Sequence, residues 1–303
     1  MAISRSQLVK ELEPGLNALF GLEYKRYENQ HAEIYTTESS DRAFEEEVML
    51  SGFANAQVKG EGSGVSFDEA QETFTARYTH ETVALAFAIT EEAIEDNLYD
   101  RLASRYTKAL ARSMSNAKQV KSVEPLINGL PTADAFDSGD GVSLFNTSHP
   151  TVSGTFANTL ATQADLNETS LEQSLIDIAA MSDERGLRIA ARGVKMIIPS
   201  ELQFTAERLM KSQGRVGTAD NDINAIVSMG MIPQGYRVNN YLTDSDAFYI
   251  LTDVPNGMKM FNRSPLKTAM EGDFDTGNVR YKARERYSFG VSDPRGIFGV
   301  EGA

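Results

Sequence analysis

The sequence predicts an α+β chain, and three observations carry that expectation. "VALAFAIT", residues 83–90, alternates large and small apolar residues and runs directly into a long helical pattern. From Thr169 onward, helix-like and strand-like stretches alternate as in a compact α/β unit. The last third is extended, closing on strand-like runs such as "NVRYKARERYSFGV" and "GIFGV".

Residues 1–40 read as an arm. "SQLVKELEPGLNALFGLEYKRY" suits a short helix broken near Pro14-Gly15, because an interior proline removes a backbone donor and clashes with the preceding turn. Aromatic residues Phe20, Tyr24, Tyr27 and Tyr35 are scattered along it. Residues 41–82 read as a long hairpin. "GEGSG", residues 60–64, places three glycines in five positions, a strong turn signal, and sets the tip near Lys59 to Gly64. A hairpin with so few large apolar residues is marginal alone in water and needs another surface.

In "VALAFAIT" the period of two puts Val83, Leu85, Phe87 and Ile89 on one face of a half-buried strand. Thr90 then stands where an N-cap belongs, with Glu91 and Glu92 in the first turn. A helix over 91–121 follows. Ile94, Leu98, Leu102, Tyr106, Ala109 or Leu110, and Met114 form its apolar stripe. Acids at its start (Glu91, Glu92, Glu95, Asp96) and bases further on (Arg101, Arg105, Lys108, Arg112, Lys118, Lys121) complement the helix dipole. About thirty residues at ~1.5 Å each make a rod of ~45 Å, long enough to act as a spine.

Residues 128–165 are turn-rich and read as loop with a short strand. "SLEQSLIDIAAMSDERG" reads as a helix ending near Gly186, "VKMIIP" as a buried strand, and "PSELQFTAERLMKS" as a second helix begun through Pro199. "YRVNNYL" and "AFYILTD" supply two more strands. In the extended last third, "RYKARER" puts Arg280, Lys282, Arg284 and Arg286 on one strand face, where like charges repel.

That face is unexpected in a chain of net charge −14. Such a charge argues against general nucleic-acid or membrane binding, since both require positive surface. Any DNA this protein meets is held by enclosure or by local patches. The chain has no cysteine, which removes disulfides, thiolate metal sites and cysteine nucleophiles. The N-terminus lacks the apolar run of a secretory signal, and no stretch approaches the ~20 apolar residues that span a membrane.

Candidate chemistry is sparse. "SHP", residues 148–150, places Ser148 beside His149, a hydrolase alternative weakened by the absence of a nucleophile elbow and by the difficulty of pairing adjacent residues. The plainer reading is a turn in which Pro150 stops the strand and Ser148 or Thr147 caps it. His31 and His80 match no ligand spacing. "GEGSG" lacks the Lys-Ser/Thr ending and following helix of a phosphate loop. "DSGDG" (137–141) and "TADNDIN" (218–224) lack a calcium loop's spacing and read as solvated loops. No catalytic, cofactor or metal site is expected, and the chain reads as a building block.

Several separated stretches resemble one family. "ARYTHETVALAFAITEEAIEDNLYD", residues 76–100, looks like the hairpin-to-spine junction of tailed-bacteriophage major capsid proteins with the Hong Kong 97 fold. "LFNTSHP" (144–150) is similar to a motif in the Mu-like head-subunit branch, and "VKMIIPSELQFTAERLM" and "RYKARERYSFGVSDPRGIFG" resemble the family's central helix and closing strand. The resemblance covers nearly the whole chain. It implies an N-terminal arm (1–40), an extended loop or E-loop (41–82) and a peripheral domain with the spine (83–165). It further implies an axial domain (166–262), long peripheral strands (263–292) and a return to the axial domain (293–303).

It also implies hexamers and pentamers closing into an icosahedral shell around double-stranded DNA, without sequence-specific binding. The expected location is the virion, with assembly in the host cytoplasm. Since the sequence starts at Met1 without a long helical leader, a fused scaffolding segment is expected to be absent. A separate scaffolding protein, a portal and a decoration protein are the further partners the resemblance suggests. Some relatives cross-link a hairpin lysine to a neighbour's asparagine. Lys59 sits at the matching tip, although an exposed turn lysine is ordinarily just solvated. An encapsulin-like shell enclosing an enzyme is the alternative within the same fold.

For the four-cation face the expectation is an intersubunit docking surface. Glu45, Glu46 and Glu47 at the hairpin base are the leading counter-charges, and Asp68, Glu69 and Glu72 come next. Glu95 and Asp96 of the spine compete for the role within the subunit. The plainer reading is a solvated strand face whose long stems cover apolar surface.

Overall fold

A computed structural model describes residues 5–90, 92, 99–133, 136–215, 222–273 and 277–303. Two four-stranded sheets organise it. The first has the order β1 (Thr36–Ser39), β10 (Met258–Gly272), β11 (Val279–Val291), β4 (Glu81–Ile89). β10, β11 and β4 are antiparallel, and β1 joins β10 in parallel. The second has the order β12 (Ile297–Val300), β9 (Phe248–Thr252), β7 (Gly193–Ile198), β8 (Tyr236–Val238). Among the described residues there are also two hairpins: β2 (Phe44–Leu50) with β3 (Glu72–Thr79), and β5 (His149–Thr151) with β6 (Gly154–Phe156).

The period of two explains both sheets. In β11, Val279, Tyr281, Ala283, Glu285 and Tyr287 are buried, while Arg280, Lys282 and Arg284 are exposed and Arg286 is half-buried. The buried face packs under α1 (Arg5–Arg26) and the spine α2 (Tyr99–Asn128), through Leu16, Phe20, Leu110, Ala111 and Met114. In the second sheet both faces are covered. Met196, Ile198, Phe248, Ile250, Phe298 and Val300 point into one core beneath α3 (Glu168–Ala180) and α4 (Gln203–Lys211). The alternate residues Ile197, Tyr249 and Ile297 point into another, shared with Val123 and Leu126 of α2 and Met260 and Tyr287 of the first sheet. This shared core joins the two sheets. Gly299 is required there, because a Cβ would meet the Phe145 ring at 2.6 Å.

Several elements differ from the sequence reading. The arm is not a broken helix, since α1 continues through Pro14. Its second half is docked. Phe20 is 1% exposed, and the Asn17 side-chain oxygen accepts hydrogen bonds from Tyr281 (2.8 Å) and Thr268 (2.7 Å). Packing of this kind outweighs the loss of one backbone donor. The spine ends seven positions later than expected and also passes a proline, Pro125, because Val123 and Leu126 are buried. Its expected beginning, including Ile94, Glu95, Asp96 and Leu98, lies outside the described residues. The buried stripe runs through Ala103, Leu110, Ala111 and Met114, whereas Tyr106 is 47% exposed.

In β4, Leu85 keeps to the expected face, opposite the buried Ala283, but is itself 47% exposed. α3 stops at Ala180, not near Gly186, because Met181 turns extended and is itself buried in the core. Pro150 lies within β5 rather than ending a strand, and "YRVNNYL" contributes only the three residues of β8.

Phe20→Ala should loosen the arm. A buried Phe→Ala change costs ~3–5 kcal/mol. Because α1 is peripheral, the loss should appear as faster tryptic cleavage at Lys25 and Arg26 with a smaller shift in the melting of the rest. Equal cleavage rates would mean that the arm is not held by this contact.

Candidate assembly surfaces

The open face of the first sheet is built by register. Arg280, Lys282, Arg284 and Arg286 stand opposite Ala88, Ala86, Ala84 and Thr82 of β4. Across β10 they face Glu271, Ala269, Lys267 and Ser264. Small residues beside long cationic ones leave the charged heads standing clear, and Lys267 beside Arg284 adds a fifth cation. Arg280 pairs with Asp273 at 2.5 Å. Lys282, Arg284 and Arg286 make no ion pair with any described residue. The one carboxylate of the strand, Glu285, points the other way, into the layer under the helices. There Lys118 of α2 donates to it at 3.2 Å and Tyr24 of α1 at 3.3 Å. Burial pushes the Glu285 carboxyl up, against the pull of Lys118.

The hairpin root is anchored. Tyr78 of β3 lies across Gly290 of β11, where a Cβ would meet its ring at 2.6 Å, and its hydroxyl meets Ser292 Oγ at 2.5 Å. His80, just beyond β3, bridges Ser288 Oγ and Ser40 Oγ, each at 2.9 Å. Its pKa is lowered by burial and by the charge of Arg286.

Beyond the Ser51–Gln71 hydrogen bond (2.8 Å) the hairpin leaves regular pairing, and the chain turns at Gly60–Ser63. This distal part displays apolar side chains to solvent. Val58 is 100% exposed and Phe67 98%, with Phe53 and Val65 alongside. Lys59 is exposed at the tip.

The acids offered as counter-charges fall into two groups. Those at the hairpin base are already engaged within the subunit. Glu47 takes Lys259 at 2.5 Å, Glu45 accepts from Ser40 at 2.7 Å and lies 3.8 Å from Arg42, and Glu46 lies 3.8 Å from Arg77. Local sequence could not show this, since Lys259 comes from β10, more than two hundred residues away. Further out, Glu69 and Glu72 carry carboxylates exposed to solvent without an ion-pair partner among the described residues. Asp68 meets Arg185 at 3.4 Å.

The Ser148–His149 pair does not form a nucleophile and base. Ser148 is exposed, while His149 is fully buried. His149 Nδ1 meets Asp140 Oδ2 at 2.6 Å and Nε2 meets Asn158 Oδ1 at 2.9 Å, so neither ring nitrogen is left for Ser148. Phe156 stacks on the His149 ring at 4.7 Å and also carries the Arg295 guanidinium over its ring at 4.1 Å. Arg295 in turn grips Glu184 at 2.5 Å and Asp293 at 3.2 Å.

"DSGDG" is therefore not simply solvated, because its Asp140 side chain is 2% exposed. Burial would raise the Asp140 carboxyl, but hydrogen bonds from His149 and Ser138 hold it below its ordinary value. Sequence spacing gives no sign of this network, since its members come from four separate segments. Among the described residues no cluster of three His, Cys, Asp or Glu suits a metal ion, and no helix is long and apolar enough to cross a membrane.

With this geometry in view, comparison places the chain. Residues 72–300 match the family described as phage capsid protein, and the chain belongs to that family. It is a major capsid protein, a structural component of the virion that forms the capsid shell. Among similar solved structures are the capsid of an empty GTA particle (13% identity, TM-score 0.53, covering 90% of this chain and 89% of that one) and the capsid of Myoviridae phage XM1 (12%, 0.53, 89% and 89%). A virus-like particle from Pyrococcus furiosus is also similar (11%, 0.51, 94% and 98%). At such identities the likeness is one of fold, the Hong Kong 97 type. No curated protein matches the sequence.

Asp140→Asn should destabilise the subunit at neutral pH by ~3 kcal/mol, the scale for removing one partner of a buried pair. The folded Asp140 pKa is depressed, so its contribution is present above the unfolded value near 3.8 and is lost as pH falls through the folded one. Denaturant melts at pH 7 and pH 3 should therefore show a gap between wild type and variant that narrows in acid. A constant gap would mean that the Asp140 charge plays no part.

Proposed function

We propose that the subunit assembles as hexamers and pentamers into an icosahedral shell around the double-stranded DNA of a tailed phage, and that its distal hairpin closes the lattice by lying on the basic sheet face of a neighbouring copy. The exposed apolar residues of the hairpin carry this reading. Val58, Phe67, Phe53 and Val65 have no core of their own, and a patch of this kind marks a docking surface. Asp68, Glu69 and Glu72 on the same segment supply charge opposite to Lys267, Lys282, Arg284 and Arg286.

One exposed pair is worth only ~0–1 kcal/mol. A contact recurring in every subunit multiplies that small amount across the lattice. In this reading the first sheet with the spine is the peripheral domain, the second sheet is the axial domain around which capsomers close, and Lys59 is an ordinary solvated tip residue. A scaffolding protein, a portal and a decoration protein complete the proposed set of partners, and assembly takes place in the host cytoplasm. An enzyme-enclosing shell is not favoured, since the matching family is one of phage capsid proteins.

Two experiments test the docking. Replacing residues 53–70 with a two-residue turn should leave the subunit's melting almost unchanged and abolish shell formation in electron micrographs. Normal shells from the shortened chain would sink the reading. Arg284→Glu should impair assembly at low salt without altering subunit stability, and Glu72→Arg on the same chain should partly restore it. Added salt should weaken wild-type assembly by screening. Unimpaired assembly of Arg284→Glu would leave the face merely solvated.

A further inference from the structure

The distal hairpin is held to its own subunit just beyond the Ser51–Gln71 pair, where regular pairing ends, by Arg185. Arg185 donates from its terminal nitrogen to the Glu69 carbonyl at 2.6 Å and lies 3.4 Å from Asp68 Oδ1. Asp68 is the carboxylate that braces the two arms of the hairpin. Its Oδ2 accepts from the Ala54 amide at 2.7 Å and its Oδ1 from the Glu69 amide at 3.0 Å. Beyond this brace, the hydrogen bonds of residues 55–67 are local, from Gln57 to Asn55 and from Ser63 to Gly60.

Arg185 reaches out from a fixed base. Asp183 Oδ1 accepts from the amides of Arg185 (2.9 Å) and Leu187 (2.8 Å), and Gly186 takes a positive φ of 81°. Arg295 holds the turn from behind, through the Ser182 carbonyl at 2.8 Å and the Glu184 carboxylate. The turn is thus held by several hydrogen bonds, whereas residues 55–67 of the hairpin make only local ones.

Two features mark the contact as exchangeable. The hairpin's apolar residues stay exposed while it is held, so this position does not satisfy them. The Arg185 Nε is buried without a partner, which leaves a dry donor and a grip below full strength.

We propose that Arg185 is a latch that keeps the hairpin on its own subunit, and that assembly exchanges this cis contact of Asp68 for the basic sheet face of a second copy. This rests on the docking reading above. The latch restrains premature pairing of free subunits, and lattice formation overcomes it because the second copy offers both cations and apolar cover.

The test is Arg185→Ala in the full chain. The turn keeps its backbone hydrogen bonds in that variant. Amide exchange over residues 53–69 should rise about two- to fivefold, the range that a part-exposed pair spans, with β7 and β11 unchanged. The threshold concentration for assembly, followed by light scattering, should fall. Unchanged hairpin exchange would overturn the latch, and so would a raised threshold, which would make the contact one that aims the hairpin productively.

Asp68→Asn separates the two halves of the exchange. It should loosen the hairpin and yet raise the threshold, since it weakens the contact in cis and in trans together, and a lowered threshold would overturn the exchange. Arg284→Glu, measured in parallel, judges the docking reading alone. It should leave hairpin exchange in the free subunit at the wild-type rate, so a failure of docking and a failure of the latch are read from different signals.

Discussion

The burial of one face of β11 is the constraint on which the rest of the subunit depends. β11 is an inner strand of its sheet, hydrogen-bonded on both sides over most of its length. Val279, Tyr281, Ala283 and Tyr287 must lie under the helices, and a period of two then turns Arg280, Lys282, Arg284 and Arg286 to the opposite side. Slipping the register by one residue would bury four cations, at a cost the sheet could not meet. The positive face is therefore fixed by the same burial that fixes the fold. Glu285 is the exception on the buried side, and it is tolerated because Lys118 and Tyr24 reach it from two different helices.

The subunit completes its two sheets but not its hairpin. The cores around Phe20, Tyr287 and Phe248 are closed, with residues from distant segments filling each one. The hairpin is firmly rooted by Tyr78 and His80, and then carries Val58 and Phe67 into solvent. A rigid root with an unsatisfied end is what a shell subunit needs. The root fixes where the hairpin leaves the sheet, and its apolar end finds no cover within the subunit.

Electrostatics divides along the same line. Where charges are buried they are paired inside the chain, as with His149 and Asp140 or with Arg295, Glu184 and Asp293. Arg295 and His149 both pack on the Phe156 ring, joining the loop before α3, the turn after it and the C-terminal return. Among the described residues, Lys282, Arg284 and Arg286 on the sheet face and Glu69 and Glu72 on the hairpin have no ion-pair partner, and the two groups carry opposite signs. Charge complementarity of this kind contributes more to partner choice and approach than to raw affinity.

The sequence by itself determined whatever depends on local periodicity and turn chemistry. The alternation of "RYKARER" pointed to the cationic face, "GEGSG" to the hairpin tip, and the run from Thr169 to Thr252 to the helices and three of the four strands of the second sheet. Only the tertiary structure decided the rest, because those outcomes are set by groups far apart in the chain. α1 and α2 continue through Pro14 and Pro125 since distant packing outweighs a missing amide. Glu47 is consumed by Lys259, and Asp140 is drawn out of solvent by His149. Arg185 looked like one more charge in "MSDERG". It meets the hairpin, more than a hundred residues earlier, because Asp183 shapes its turn and the hairpin passes within reach.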